Sequence, residues 1–326
     1  MGQFFQWGQL FALCFLIMLL QLIAIAKVSR PESEEDSVLM TFTRLDETAS
    51  VKPRGEMTER ATLQRTLSRR RVWYASAKGS ECQRVFRYRG KLPLPMTALL
   101  STQGSGNTWL RWLIESLTGL CTGSLYRELS MRVAAFQCEM SPLTSGGFIA
   151  YKVHYFHQLS ENTTKVILLV RNPFDALVSD FNRMNTQGNH TALADADVFR
   201  TDAWHNFVIE RSREWLDQIL TALDGSHELH VVFYEHLKSD TSNELFRLAD
   251  FLGVRVNDFR VNCVVQNSIG VAKRKARVLP GLFTTAEVGI VKERIDTAWR
   301  ALRRHGIDNA PVNYGVSIEQ INKSLK

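Results

Sequence analysis

Four things are missing from this sequence, and each absence excludes something. None of the five cysteines, Cys14, Cys82, Cys121, Cys138 and Cys263, forms a CxxC pair or sits in a His/Cys cluster, which argues against a zinc site. No Gly-x-x-x-x-Gly-Lys-Ser/Thr run occurs and no dinucleotide fingerprint, so an ATP or GTP hydrolase and a nucleotide-dependent kinase are disfavoured. No charged residue interrupts the stretch from Phe4 to Ala26. No internal repeat is present, which sets aside solenoid and propeller architectures.

Apolar residues, in contrast, make up 45% of the 326 positions and aromatic ones 10%, enough for a packed core and against global disorder. The length accommodates one large domain or two modest ones. A net charge of +7 favours acidic partners, and composition alone does not choose among nucleic acid, an anionic membrane surface and small polyanions.

The uncharged segment is long enough to cross a bilayer, and residues 1–26 are read as a signal-anchor giving a single-pass membrane protein. A cleaved signal peptide is the competing reading, since Ala24-Ile25-Ala26 fits a small-x-small cleavage site; the length and the lack of a basic n-region favour the anchor. Lys27 and Arg30 weigh against lumenal exit. Three Asn-x-Ser/Thr triplets, at Asn162, Asn189 and Asn322, weigh for it, as glycosylation sites in a secretory lumen. Leaving out Cys14 gives an even set of four cysteines, which in a lumen allows two disulfides in any of three connectivities.

Residues 27–91 are polar, charge-mixed and without apolar periodicity, which predicts a disordered stem. From 92 to 316, strand and helix patterns alternate, predicting an α/β domain with a central parallel sheet, and 317–326 form a tail. Lys165 to Val170 reads as a buried strand. Asn172-Pro173 then caps and opens a helix through Phe174, Leu177, Val178 and Phe181. A further helix carries Trp204, Val208, Trp215, Ile219 and Ala222, and a strand covers Leu229 to Tyr234. Thr241-x-x-Glu244 and Thr284-x-x-Glu287 are capping-box signatures for two later helices.

The most informative stretch is Leu99-Leu100-Ser101-Thr102-Gln103-Gly104-Ser105-Gly106-Asn107-Thr108-Trp109. An apolar run, Met96 to Leu100, reads as a strand. From Thr108 the spacing of Leu110, Leu113, Ile114 and Leu117 is helical. A strand, a glycine-bearing turn and a helix N-terminus together present backbone N–H groups to an anion, above all a phosphate. Arg171 leaves the end of its strand at the edge where ligands of open α/β sheets bind, and Ser179 follows two helical turns later. Tyr151-Lys152-Val153-His154 supplies a lysine and a histidine upstream.

With these residues in view, the chain resembles the sulfotransferase superfamily, which uses 3′-phosphoadenosine 5′-phosphosulfate (PAPS). Ser105-Gly106-Asn107-Thr108-Trp109 is similar to the family's 5′-phosphosulfate loop, and Arg171 with Ser179 to its 3′-phosphate site. Lys152-Val153-His154 matches its Lys-x-His, and Phe233-Tyr234-Glu235 its Tyr-Glu pair. The form Gly-x-Gly-Asn-Thr-Trp is closest to the WSC-domain-containing sulfotransferase-like (WSCD) family, here in a short version without WSC modules.

The resemblance implies a P-loop-type three-layer sandwich. It further implies PAPS as co-substrate with PAP as product, no metal and no nucleic-acid partner. The acceptor would be a hydroxyl on a glycan or glycoprotein, with sialic acid one possibility, and the setting the Golgi lumen. His154 would be the general base and Lys152 would steady charge on the bridging oxygen. Ser105, Gly106, Asn107, Thr108, Arg171 and Ser179 would hold phosphate and sulfate groups, and Trp109 and Tyr234 the adenine. Two departures stand out. Gly104 occupies the place where many relatives carry a lysine, and Lys273-Arg274-Lys275 only approximates the family's Arg-Lys-Gly segment. The first leaves a catalytically silent fold that binds anionic glycans or partner proteins as the alternative.

Overall fold

The computed structural model describes residues 95–189, 192–269, 281–312 and 314–316, together with the backbone of 72–75, 84–87 and 321–322. The apolar segment, Lys273-Arg274-Lys275 and the Asn322 side chain lie outside the described residues. Within the expected stem, β1 (Val72–Ala75) and β2 (Arg84–Arg87) pair antiparallel. Among the described residues no helix is long and apolar enough to cross a membrane.

The core is a five-stranded sheet ordered β4-β5-β3-β6-β7: β4 (Gly123–Ser124), β5 (Tyr151–Val153), β3 (Met96–Leu100), β6 (Thr163–Val170) and β7 (Glu228–Phe233). All four pairings are parallel. Side chains of a strand alternate between faces, and the core divides accordingly. Ala98, Leu100, Val166, Leu168 and Val170 face one layer, with α3 (Pro173–Met184), α4 (Asp202–Asp224) and α8 (Thr285–Arg304). Leu99, Ile167, Leu169 and Val232 face the other, with α1 (Asn107–Thr118), α6 (Thr241–Phe251) and α7 (Asp258–Gln266). Two short helices, α2 (Leu129–Ala134) and α5 (Tyr234–Ser239), lie in the connections. β8 (Phe283–Thr284) pairs in parallel with β9 (Ile321–Asn322). The expected α/β architecture with a central parallel sheet is present.

Local signals largely decide the element ends. Asn172 accepts the Phe174 N–H and Pro173 opens α3. Thr284 and Glu287 form the complete capping box at α8, bonding each other's backbone N–H at 2.7 and 3.1 Å. The second box does not form. Because α5 runs almost directly into α6, the Thr241 hydroxyl donates instead to the Leu237 carbonyl one turn back, and Glu244 pairs with Arg247. Tyr234, expected at the end of a strand, begins α5.

The chain passes from β3 to β4 and β5 on one side, then crosses to β6 on the other. The crevice of an open α/β sheet forms at such a switch, outside the carboxyl ends of the strands. The loop after β3, His154 after β5 and Arg171 after β6 all lie at that edge.

Candidate active site

The loop from Ser101 to Gly106 turns on two glycines in left-handed conformation, Gly104 at φ +79° and Gly106 at φ +99°. A Cβ on Gly104 would stand 2.2 Å from the Ala176 carbonyl oxygen, and one on Gly106 would stand 2.8 Å from the Tyr234 ring. The backbone therefore lies directly on α3 and on an aromatic plate, too close for any side chain. The position that carries lysine in many relatives has no room for one in this conformation. Inside the loop the Ser105 and Thr102 hydroxyls share a hydrogen bond at 2.9 Å. Asn107 turns beneath it, its amide donating to the Leu99 carbonyl (3.3 Å) and the Ser101 hydroxyl (3.1 Å). The Asn107 side chain thus pins the loop to β3, and its backbone N–H stands with that of Thr108 in the first turn of α1, where helix N–H groups have no acceptor one turn back.

Arg171 crosses over the loop. Its Nη1 donates to the Gly104 carbonyl at 2.8 Å, and its guanidinium lies 4.4 Å above the centre of the Tyr234 ring. Its Nε is buried and finds no hydrogen-bond partner among the described residues. Trp109 meets the Tyr234 ring edge-on at 5.3 Å and donates its indole N–H to the Ser268 carbonyl. Glu235 joins neighbouring strand ends, accepting the Asn172 N–H at 3.0 Å and the Tyr314 hydroxyl proton. Burial and the Glu235 carboxylate hold the Tyr314 phenol well above its usual range. Ser179 lies on α3 next to the Ala176 and Asp180 backbone on which Gly104 packs.

The third component comes from β5. His154 Nδ1 lies 2.8 Å from the Ser101 carbonyl oxygen. A carbonyl only accepts, so Nδ1 carries the proton and Nε2 keeps its lone pair. Burial, followed by the Lys152 and Arg183 charges, lowers the imidazole pKa from 6.5 to about 3, so the ring is neutral at physiological pH. Lys152 is 3% exposed and donates to Glu128 Oε1 at 2.7 Å. Burial draws its pKa down, and Glu128 opposes that shift. Tyr126 stacks on the imidazole with ring centres 5.0 Å apart, and burial raises its own pKa to about 12.

The structure thus joins Arg171, Tyr234 and Trp109 in one chain of contacts against the glycine turn, with Ser105, Gly106, Asn107 and Thr108 forming that turn and the first residues of α1; His154 sits at the start of the loop, Lys152 is directed to Glu128, and Ser179 stands on α3. Sequence reasoning missed Tyr126, Glu128 and Gln103, whose amide donates to the Tyr155 hydroxyl. No local pattern marks them, because their partners lie 24 to 52 residues away. Cys121 is bonded to Cys138, and Cys263 is also in a disulfide. Asn162 and Asn189 are exposed. Among the described residues no group of three His, Cys, Asp or Glu side chains could hold a metal ion.

At the carboxyl edge of a parallel α/β sheet the site thus combines a glycine-lined turn at a helix start, an arginine with an idle buried N–H and a neutral histidine held in one tautomer. Residues 95–280 match the sulfotransferase domain, and the chain belongs to that family. It is similar to WSCD family member CG9164 of Drosophila melanogaster, 32% identical over 189 residues that cover 56% of this chain and 58% of that protein. WSCD family member AAEL009094 of Aedes aegypti is 33% identical over the same shares. The chain thus matches less than two thirds of the length of these relatives. Among solved structures, mouse sulfotransferase SULT7A1 complexed with PAP is 17% identical with a TM-score of 0.43, covering 65% of this chain and 85% of that one. Retinol dehydratase in complex with androsterone and inactive cofactor PAP is 15% identical with a TM-score of 0.37, covering 80% and 97%.

Proposed function

We propose that this chain is a PAPS-dependent sulfotransferase acting on an acceptor hydroxyl, with His154 as general base. The observation that carries the reading is the His154 Nδ1–Ser101 contact at 2.8 Å, which leaves Nε2 as acceptor beside the glycine loop. Two features fit the phosphosulfate nucleotide: the idle buried Nε of Arg171 and a loop backbone that glycine keeps open to close approach. The N–H groups at the start of α1 take the 5′-phosphosulfate, and Arg171 with Ser179 takes the 3′-phosphate. Trp109 and Tyr234 flank the adenine. The acceptor oxygen attacks sulfur in line as its proton passes to His154 Nε2. The sulfur–oxygen bond to the 5′-phosphate breaks, and its electron pair stays on PAP. Lys152 supplies positive charge near that oxygen, in a site where Gly104 excludes a loop lysine.

The acceptor is proposed to be a glycan or glycoprotein hydroxyl, and the setting a Golgi lumen with residues 1–26 as anchor. Support comes from the uncharged apolar segment, the exposed Asn162 and Asn189 sequons and the Cys121–Cys138 disulfide, a bond that persists in oxidising compartments. Gly104 favours a second reading, a silent fold that binds anionic glycans or partner proteins without transfer. PAP binding and labelled-sulfate transfer onto a glycan panel separate the two. PAP is expected to raise the melting temperature of the wild type, and Arg171→Ala to weaken it about 10–100-fold, as loss of charge-assisted hydrogen bonds does. No stabilisation by PAP or PAPS would end the first reading; PAP binding with no transfer to any acceptor would favour the second.

A further inference from the structure

Between α1 and β5 the chain makes an excursion whose ends are tied together. Cys121 and Cys138 close it with a disulfide. Next to that bond, Glu139 forms an ion pair with Arg111 of α1 at 2.6 Å, both side chains fully buried, and the Arg111 guanidinium lies 4.1 Å from the centre of the Phe136 ring. The excursion is therefore anchored to a core helix.

From inside this closed loop two side chains reach the Lys152 and His154 pair. The Tyr126 hydroxyl accepts the His154 backbone N–H at 2.7 Å and donates to Gln158 Oε1 at 2.8 Å, while its ring stacks on the imidazole. Glu128 Oε1 accepts from Lys152 Nζ at 2.7 Å, and the Glu128 backbone N–H is held by Glu139 Oε1 at 3.2 Å. Lys152 has almost no contact with solvent, so Glu128 is the anion that makes its burial tolerable.

We propose that Glu128 is a positioning residue: delivered by the loop that Cys121 and Cys138 close, it fixes the Lys152 ammonium beside His154. Tyr126, from the same loop, fixes the imidazole. The contact itself stands on geometry; what Lys152 and His154 then do rests on the sulfotransferase reading. The charged and titratable groups facing Lys152 are Glu128, Glu139, Arg111, Tyr126 and His154. Burial and Arg111 disfavour the ammonium, and Glu128 and Glu139 favour it. Without Glu128 the balance tilts to the neutral amine, and the positive charge beside the transferring group is lost at a lower pH.

The test compares full-chain wild type, Glu128→Gln and Glu128→Asp. First, the side-chain Nζ and Cε signals of Lys152, followed across pH by heteronuclear NMR on protein with isotope-labelled lysine and no nucleotide and assigned with Lys152→Arg, read the titration midpoint of a buried amine that no reagent has to reach. Glu128→Gln is expected to move it down by about one unit or more, and Glu128→Asp, which keeps the charge, to restore most of it. Second, kcat is expected to fall about tenfold in Glu128→Gln with KM for PAPS nearly unchanged, the pattern of a lost transition-state interaction. Superimposed titration profiles for wild type and Glu128→Gln overturn the proposal, as does a raised KM at unchanged kcat. If the wild type neither binds PAP nor transfers sulfate, the functional reading fails while the Lys152 titration profile still decides the role of Glu128. A folding defect shows as an early melt, and Tyr126→Phe then gives a second readout. It keeps the ring but strands the His154 backbone N–H and Gln158 Oε1, so it is expected to melt somewhat earlier and, assayed well below that melt, to show a lowered kcat; an unchanged kcat counts against the loop's role.

Discussion

His154 and Asn107 meet on opposite sides of one residue. The Ser101 carbonyl oxygen accepts from His154 Nδ1 at 2.8 Å, and the Ser101 hydroxyl accepts from the Asn107 amide at 3.1 Å. Ser101, at the mouth of β3, therefore links the His154 imidazole to the start of α1. Under the proposed function, this link orients the base toward a substrate held by the loop.

The first prediction concerns pH. With its folded pKa lowered to about 3 from 6.5, His154 stays neutral in the folded protein well below pH 6.5. The acid limb of kcat/KM is expected to lie well under 6.5, since that profile reports the free enzyme. The linked effect on stability has a definite sign. The unfolded chain takes a proton as pH falls through 6.5 and the folded one does not, so the contribution of His154 is complete above that pH. It is lost on the way down to about 3, by up to about 1.4 kcal/mol per pH unit. Urea titrations of wild type and His154→Gln between pH 7 and 4 check this; parallel curves would contradict it.

Gly104 gives the second. Restoring the lysine seen in many relatives is expected to lower activity, because the left-handed backbone alone costs about 1–2 kcal/mol with an L side chain, before the overlap with the Ala176 carbonyl. Gly104→Lys and Gly104→Ala should melt earlier than wild type and bind PAP more weakly. A Gly104→Lys variant with wild-type melting and faster transfer would show that the loop has another conformation open to it.

Asn107 separates pinning from ligand contact. Asn107→Ala leaves the Leu99 carbonyl and the Ser101 hydroxyl without their buried donor, a loss of about 1–3 kcal/mol. The expected outcome is an earlier melt with or without PAP, the nucleotide still giving a positive shift. If stability holds and only PAP binding falls, the side chain contacts the nucleotide directly.

The disulfide gives the fourth. Cys121 and Cys138 are 17 residues apart, and a loop of this size contributes about 3 kcal/mol in the chain-entropy model. The Cys121→Ser, Cys138→Ser double variant is expected to melt on the order of 10 °C lower and to lose transfer more than PAP binding, since the closed loop serves His154 and Lys152 rather than the cradle. Calorimetry and transfer assays on the same preparation check both halves.

How much of this was legible in the sequence depends on whether the signal was local. The strand Met96–Leu100, the helix after Gly106 and the Asn172-Pro173 start were readable because period-2 and period-3.6 spacing and capping chemistry act within a few residues. Arg171 was readable because a strand end in an open α/β sheet points to the ligand edge. Glu128, Tyr126 and the buried Arg111–Glu139 pair were not, as their meaning lies in contacts made across the sheet and through the disulfide. Thr241 shows the opposite failure: the local signature was present, and the incoming helix α5 gave its hydroxyl a better partner.

If His154 is the general base, its loss harms chemistry and spares binding. The most direct measurement of this is labelled-sulfate transfer from PAPS by His154→Ala, beside its PAP dissociation constant. The expected outcome is a fall in kcat of at least about 100-fold, the scale of general-base catalysis, with PAP affinity within about threefold of wild type. Transfer at the wild-type rate, or a loss of PAP binding matching the loss of transfer, would contradict it.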